Sequence, residues 1–173
     1  LLKAGHDVVV FDVAEAAVKV ATDAGATAAA TPREIAEQAS TIITMLPSNP
    51  HVVSVYTDSE TGILGAVQKD ALLIDSSTID PNVSRQVAAE AEKAGAVMVD
   101  APVSGGVGGA EAGTLTFMVG GTDDAFERSK AVLEIMGANI VHCGGVGTGE
   151  VAKLCNNLVL GISMAGVCEA MNL

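Results

Sequence analysis

Short apolar runs and amphipathic stretches alternate along almost the whole chain. "VVVFDV" (8–13) is continuous and β-branched, which predicts a buried strand. "AEAAVKVATDAG" (14–25) follows as a helix that ends at Gly25, a glycine suited to a C-terminal cap. "ATAAA" (26–30) predicts a short strand, and "TPREIAEQAS" (31–40) a helix capped by Thr31 with Pro32 in its first position. "TIITMLP" (41–47) and "ALLIDSST" (71–78) predict two further strands, separated by a segment too polar to assign. Asp80 and Pro81 open the helix "DPNVSRQVAAEAEKAG" (80–95). Strands are then predicted at "AVMVDAPV" (96–103), "TLTFMVGG" (114–121) and "NIVHCG" (139–144), with a helix at "DDAFERSKAVLEIMG" (123–137).

Strands alternating with helices imply right-handed crossovers and a parallel sheet covered on both faces. The expected class is a doubly wound, Rossmann-like α/β domain over residues 1–148. The remaining residues, 149–173, are expected to begin a long helix. The run "EVAKLCNNLVLGISMAGVCEAMNL" (150–173) is apolar on nearly all sides after its first turns, which predicts burial. Its longest uninterrupted apolar stretch, "LVLGISMAGVC", lies between Asn157 and Glu169 and is too short to cross a bilayer.

Ligands of such sheets bind beyond the carboxyl ends of the strands. Those ends carry Asp12, Leu46-Pro47, Ser76-Ser77-Thr78 and Pro102 to Gly106. An acidic residue ending the second strand of a dinucleotide fold binds the adenosine ribose hydroxyls and disfavours a 2′-phosphate. Asp12 fits that role, and equally that of a cap for the helix after it. The Gly-x-Gly-x-x-Gly turn that lies about twenty residues before such an aspartate is absent. The chain opens on "LLKAGHDVVVFDV", as the end of a first helix followed by the second strand. The expectation is a domain lacking the first, central strand of a 3-2-1-4-5-6 order. The strands ending at Asp12 and Met45 are then not hydrogen-bonded to each other.

Charge narrows the partners. Nine basic against 21 acidic residues give a net charge of −12 over 173 residues. Phosphate backbones and anionic membranes repel such a chain, so neither nucleic acid nor membrane is expected as a partner. The three cysteines, Cys143, Cys155 and Cys168, have no metal or redox spacing and are expected to be buried and inert. His6, His51 and His142 show no ligand spacing, and no metal is expected.

Two glycine-rich stretches carry the candidate chemistry. In "GGVGTGEVAKLCNN" (144–157), Gly144 and Gly149 have the separation of a phosphate-binding P-loop, but Glu150 stands in the lysine position and would repel phosphate. Lys153 lies in the first turns of the helix, where burial and the helix dipole both favour the neutral amine. Asn157 lies four residues on, on the same face, with Cβ atoms about 5–6 Å apart. A lysine extended to solvent and paired with Glu150 is the alternative. In "VSGGVGG" (103–109), the glycines turn backbone N–H groups toward one point and Ser104 adds a hydroxyl, which suits a carboxylate or phosphate. A tight turn needing positive φ explains the same glycines.

"DAPVSGGVGGAEAGTLTFMVGG" and "GVGTGEVAKLCNN", with "IDSSTIDP" and "EAMNL", resemble the β-hydroxyacid dehydrogenase family over essentially the whole chain. The resemblance implies NAD as cofactor and a small hydroxy acid as substrate, specifically the oxidation of 3-hydroxyisobutyrate to methylmalonate semialdehyde in valine breakdown. It implies catalytic roles for Lys153 and its partner Asn157. Ser104, Gly105 and Gly106 match the substrate-carboxylate site, and Leu46, Pro47 and Thr78 match cofactor-contacting positions. A helix apolar on all sides needs more partners than this domain supplies, so the full-length protein is expected to be a homo-oligomer, in the mitochondrial matrix of a eukaryote or the cytoplasm of a bacterium. His51 departs from the asparagine often found there, so that contact stays unassigned. Tartronate semialdehyde reductase and other short semialdehyde reductases share the lysine and the carboxylate nest. 6-Phosphogluconate dehydrogenase fits less well, since no basic cluster offers a phosphate site. A non-catalytic dinucleotide-binding module is the alternative of a different class, and it predicts loss of the lysine.

Overall fold

A computed structural model describes residues 1–173. Eight strands and seven α-helices follow one another as β1 (Val9–Val10), α1 (Glu15–Asp23), β2 (Thr27–Ala28), α2 (Pro32–Gln38), β3 (Thr41–Thr44) and α3 (Asn49–Thr57). Next come β4 (Leu72–Asp75), α4 (Pro81–Lys93), β5 (Val97–Asp100), β6 (Val103–Ser104) and α5 (Gly106–Ala112). The chain ends with β7 (Leu115–Gly120), α6 (Asp123–Leu133), β8 (Gly137–Gly144) and α7 (Thr148–Asn172).

Local chemistry sets several of these boundaries. The Thr31, Asp80 and Thr122 side chains accept N–H bonds from Glu34, Asn82 and Ala125, so α2, α4 and α6 start where their caps stand. Gly25 follows α1 at φ 108°, the backbone turn expected there. Two helices fall where none is expected. The unassigned polar segment holds α3, which buries Val52 and Tyr56. The glycine-rich stretch after Ser104 turns at Gly105 and Gly106 and then winds into α5.

Parallel strands β3, β4 and β5 form one side of a six-stranded sheet in the order β3-β4-β5-β7-β6, β3 at its edge, with β8 also paired to β7. The sheet is mostly parallel rather than wholly so: β7 runs antiparallel to β5 and β6, and parallel to β8. The tight passage from β5 through β6 to α5 leaves no right-handed crossover, so β7 enters the sheet reversed. β1 pairs only with β2, in a separate parallel sheet. Strands β1 and β3 are thus not hydrogen-bonded to each other, as the 3-2-1-4-5-6 order requires. The strand predicted over 8–13 is confined to Val9–Val10.

Side chains of β4 and β5 alternate between two cores, as a period of two dictates. Leu73 and Met98 join Ala36, Val52, Tyr56, Val87 and Ala91 under α2, α3 and α4. Leu72, Ile74 and Val99 pack on the other face with Phe117, Val119, Ala125 and Leu133. Helix α7 departs from the expectation of burial. Only Gly149 and Glu150 are buried in it, because the helix touches the sheet by its first turns and then runs clear of it. Its 25 residues are also long and apolar enough to cross a membrane by length and composition, more than the uninterrupted run of 158–168 suggests.

Candidate active site

Because β3, β4 and β5 run parallel, their carboxyl ends share one edge. There the register places Thr44 beside Asp75 and Asp75 beside Asp100, three buried polar residues in a row. The expected cofactor and substrate positions follow directly: Leu46-Pro47 after β3, Thr78 after β4, and Ser104 to Gly106 after β5.

A hydrogen-bond network under this edge fixes the first two loops. The Asp75 Oδ1 atom accepts the hydroxyls of Thr44 at 2.9 Å and Ser77 at 2.6 Å. Since Thr44 donates to Asp75, its oxygen receives the Tyr56 hydroxyl at 2.7 Å. Ser77 Oγ in turn accepts the Leu46 N–H at 2.8 Å, tying the β3 loop to the β4 loop. Burial pushes the Asp75 carboxyl up from its ordinary range, and the bonds from Ser77 and Thr44 partly offset this. Tyr56 is raised by burial and by the Asp75 charge.

Asp100 does the corresponding work for α7. Its Oδ1 accepts the Gly147 N–H at 2.6 Å and its Oδ2 the Glu150 N–H at 2.9 Å. Gly147, the residue before the helix, has no side chain to cap it, so a carboxylate from β5 caps α7 instead. The approach is close enough to require glycine. A Cβ on Gly149 would collide with the Met118 carbonyl oxygen and come within 2.8 Å of Asp100 Oδ2. Burial raises the Asp100 carboxyl, against the lowering by the Gly147 and Glu150 N–H groups.

Glu150 is fully buried. Its Oε2 accepts the Ile79 N–H at 3.1 Å. The alternative of a Glu150–Lys153 pair is not realised, and Lys153 is half-buried and free of ion pairs. Burial drives the Glu150 carboxyl up to about 8, with the Asp100 and Asp75 charges adding and the Ile79 bond opposing.

Lys153 and Asn157 share a helix face, with Asn157 exposed. Lys153 lies three residues after Glu150, and Ser104 four residues after Asp100, so the Asp100–Glu150 bond joins the two candidate segments at their roots. Ser104 is half-buried, and Gly105 and Gly106 are exposed at φ 136° and 62°. They open the first turn of α5, whose leading N–H groups have no partner within the helix. Asp12 is exposed, and its Oδ1 accepts the Ala14 N–H at 2.8 Å, a local turn just ahead of α1 rather than a side-chain cap of that helix; its other oxygen carries no bond. Two cysteines correct the expectation of burial: Cys155 and Cys168 ride on the exposed helix, and Cys143 is half-buried.

Thr44, Tyr56, Asp75, Asp100 and Glu150 escape the sequence reading as parts of this site. A signal exists for two of them: the apolar strands "LLID" and "VMVD" both end in an aspartate.

Comparison with known proteins agrees with this geometry. The chain is 55% identical over all 173 residues to a mitochondrial 3-hydroxyisobutyrate dehydrogenase of Mus musculus, covering 51% of that protein. It is 51% identical over its full length to the 3-hydroxyisobutyrate dehydrogenase of Pseudomonas aeruginosa, covering 58% of it. It thus spans about half the length of the curated relatives it matches. Among solved structures, the Mycobacterium tuberculosis 3-hydroxyisobutyrate dehydrogenase with L-serine superposes at a TM-score of 0.93 and 44% identity, over 98% of this chain and 57% of that one. The family model for the NAD-binding domain of 6-phosphogluconate dehydrogenase matches residues 1–145. The chain, with its mostly parallel sheet and the polar edge at the ends of β3, β4 and β5, belongs to that family of NAD-binding domains.

Proposed function

We propose that the enzyme carrying this chain oxidises 3-hydroxyisobutyrate to methylmalonate semialdehyde with NAD, a step of valine breakdown. One observation supports it above the rest: Asp100 holds the start of the lysine helix and also opens the segment that leads to Ser104. A proton acceptor and a carboxylate site then stem from one anchored point, as a hydroxy acid requires.

In this reading Asp12, Leu46, Pro47 and Thr78 hold NAD, which when bound supplies the hydride acceptor. The Asp12 carboxylate opposes a 2′-phosphate, so NAD is preferred over NADP. Ser104 and the N–H groups of Gly105 and Gly106 take the substrate carboxylate. Lys153 Nζ accepts the hydroxyl proton as the carbon gives up its hydride, and returns it in the reverse direction. Asn157 orients the substrate oxygen without adding charge. Residues 149–173 begin the helix that leads to a second, all-helical domain, and the full-length protein is a homo-oligomer. It works in the mitochondrial matrix of a eukaryote or the cytoplasm of a bacterium.

A hydride-transfer assay on the full-length gene product tests this, with a panel of short hydroxy acids and both cofactors run in both directions. Preference for 3-hydroxyisobutyrate and NAD is the expected result. Preference for tartronate semialdehyde would reassign the substrate, and failure of all substrates with NAD retained would favour a binding module.

A further inference from the structure

We propose that Glu150 is a positioning residue that clamps the loop after β4 to the first turn of α7, setting the spacing between the cofactor side and the lysine. The proposal rests on the roles given above to Thr78 and Lys153. Ile79 is buried, 3% exposed, and its N–H sits between the end of β4 and the Asp80 cap of α4. Without Glu150 that donor has no partner, which a buried backbone group rarely tolerates. Glu150 Oε2, from 71 positions away, supplies it at 3.1 Å.

Residue 150 is itself held twice. Its N–H donates to Asp100 Oδ2 on β5, and the preceding Gly149 is seated against Met118 of β7 with no room for a side chain. A slide or rotation of α7 would therefore break the Asp100 bond and the Ile79 bond together. Thr78 is the neighbour of Ile79, and Lys153 lies about one helical turn beyond Glu150. The side chain thus spans from a residue assigned to the cofactor to the residue assigned to proton transfer. A leucine or methionine would fill this volume without burying a carboxyl, so the carboxyl is retained for its bond.

Burial, with Asp100 facing from β5 and Asp75 from β4, drives the Glu150 carboxyl up to about 8, so it holds its proton at neutral pH. The charged groups on the other neighbouring segments make no pair with it: Arg85 of α4 donates to the Val146 carbonyl at 3.2 Å, and Lys153 forms no ion pair with Glu150. A neutral acid accepts the Ile79 N–H through its carbonyl oxygen, and a glutamine side chain offers the same oxygen. Charge is not what the clamp needs.

The test compares Glu150→Gln, Glu150→Ala and the volume-keeping Glu150→Met in the full-length gene product. Hydrogen exchange at the Ile79 amide reads the clamp directly. It should quicken roughly tenfold in the Ala and Met variants and stay near wild type in Gln, the loss matching one net hydrogen bond. NAD affinity by calorimetry and kcat should both fall in Ala and Met and recover in Gln, where a purely structural role would lower the melting temperature and leave these constants of the folded enzyme unchanged. Unchanged Ile79 exchange in both Ala and Met would overturn the proposal. So would a Gln variant as defective as Ala, because that requires the charge. Should the enzyme fail to act on 3-hydroxyisobutyrate, exchange and NAD binding still decide the matter, so the two readings fail separately.

Discussion

Lys153 stands unpaired on the first turns of α7, and the reaction assigned to it needs an amine that exchanges a proton. Lys153→Ala should lower turnover by roughly 10²–10⁴-fold with NAD binding largely kept, since general acid–base catalysis contributes that much. Lys153→Arg should not restore it, because guanidinium keeps its proton. Steady-state kinetics beside a direct NAD titration check both, and near-normal turnover of the Ala enzyme would remove the lysine from the mechanism. Ser104→Ala should weaken substrate binding by about 1–3 kcal/mol, the loss of a hydrogen bond to a charged group. Equal loss of NAD affinity would move this loop to the cofactor instead. Glu150 makes a third prediction, in pH. Its carboxyl is raised from 4.5 to about 8 in the folded chain. Below 4.5 both states are protonated and its contribution is fully present. Between these values the unfolded chain releases a proton the folded chain keeps, so stability falls as pH rises, by at most ~1.4 kcal/mol per unit, and is lost above about 8. Glu150→Gln carries no such dependence. The wild-type-minus-Gln difference in urea stability should therefore decline between pH 5 and 8, and a flat difference would contradict it. Asp75 and Asp100 are raised too and are common to both proteins, so only their coupling to the Glu150 charge enters the difference, and it acts in the same direction.

At the scale of elements, α7 is placed by contacts rather than by its own sequence. Its first turn lies against β5 and β7, with Asp100 as cap and Gly149 as the point of closest approach. Gly149→Ala should cost about 1–3 kcal/mol through overpacking, since backbone oxygens of Met118 and Asp100 cannot swing aside as a side chain would. Thermal melts and turnover should fall together, because the same shift carries Lys153 away. Gly145 provides the control: a Cβ there meets nothing within 4 Å, so Gly145→Ala should be far milder. Capping by Thr31 and Asp80 was legible from residue type and position, because a cap is a local bond. Helix α3 was not, since its weakly amphipathic turns are stabilised by burying Val52 and Tyr56 against distant strands.

For the whole molecule, the exposed length of α7 is the dominant surface feature. Leu158 is 63% exposed, Ile162 66% and Met171 83%. Apolar area on this scale drives association, even against the repulsion of a net charge of −12. The 173-residue chain expressed by itself should self-associate with rising concentration in sedimentation velocity, and Leu158→Glu with Ile162→Glu should suppress this. A wild-type chain monomeric at every concentration would contradict the expectation.

What the sequence determined by itself is what depends on near neighbours along the chain. The continuous apolar runs mark β4 and β5, the capped starts mark α2 and α4, and the alternation of strands with helices marks the doubly wound class. The motif around Lys153 was legible for the same reason, as one continuous stretch. Tertiary structure alone decided that β7 is reversed, that α7 is exposed, and that Glu150 bonds to the Ile79 N–H rather than pairing with Lys153. It also decided the Thr44–Asp75–Asp100 row, whose members lie 31 and 25 residues apart in sequence and meet only through strand register. Each of these depends on a partner far along the chain. Whether a carboxylate caps a helix or a lysine finds an acid is settled by which backbone groups the packed sheet brings within about 3 Å of it.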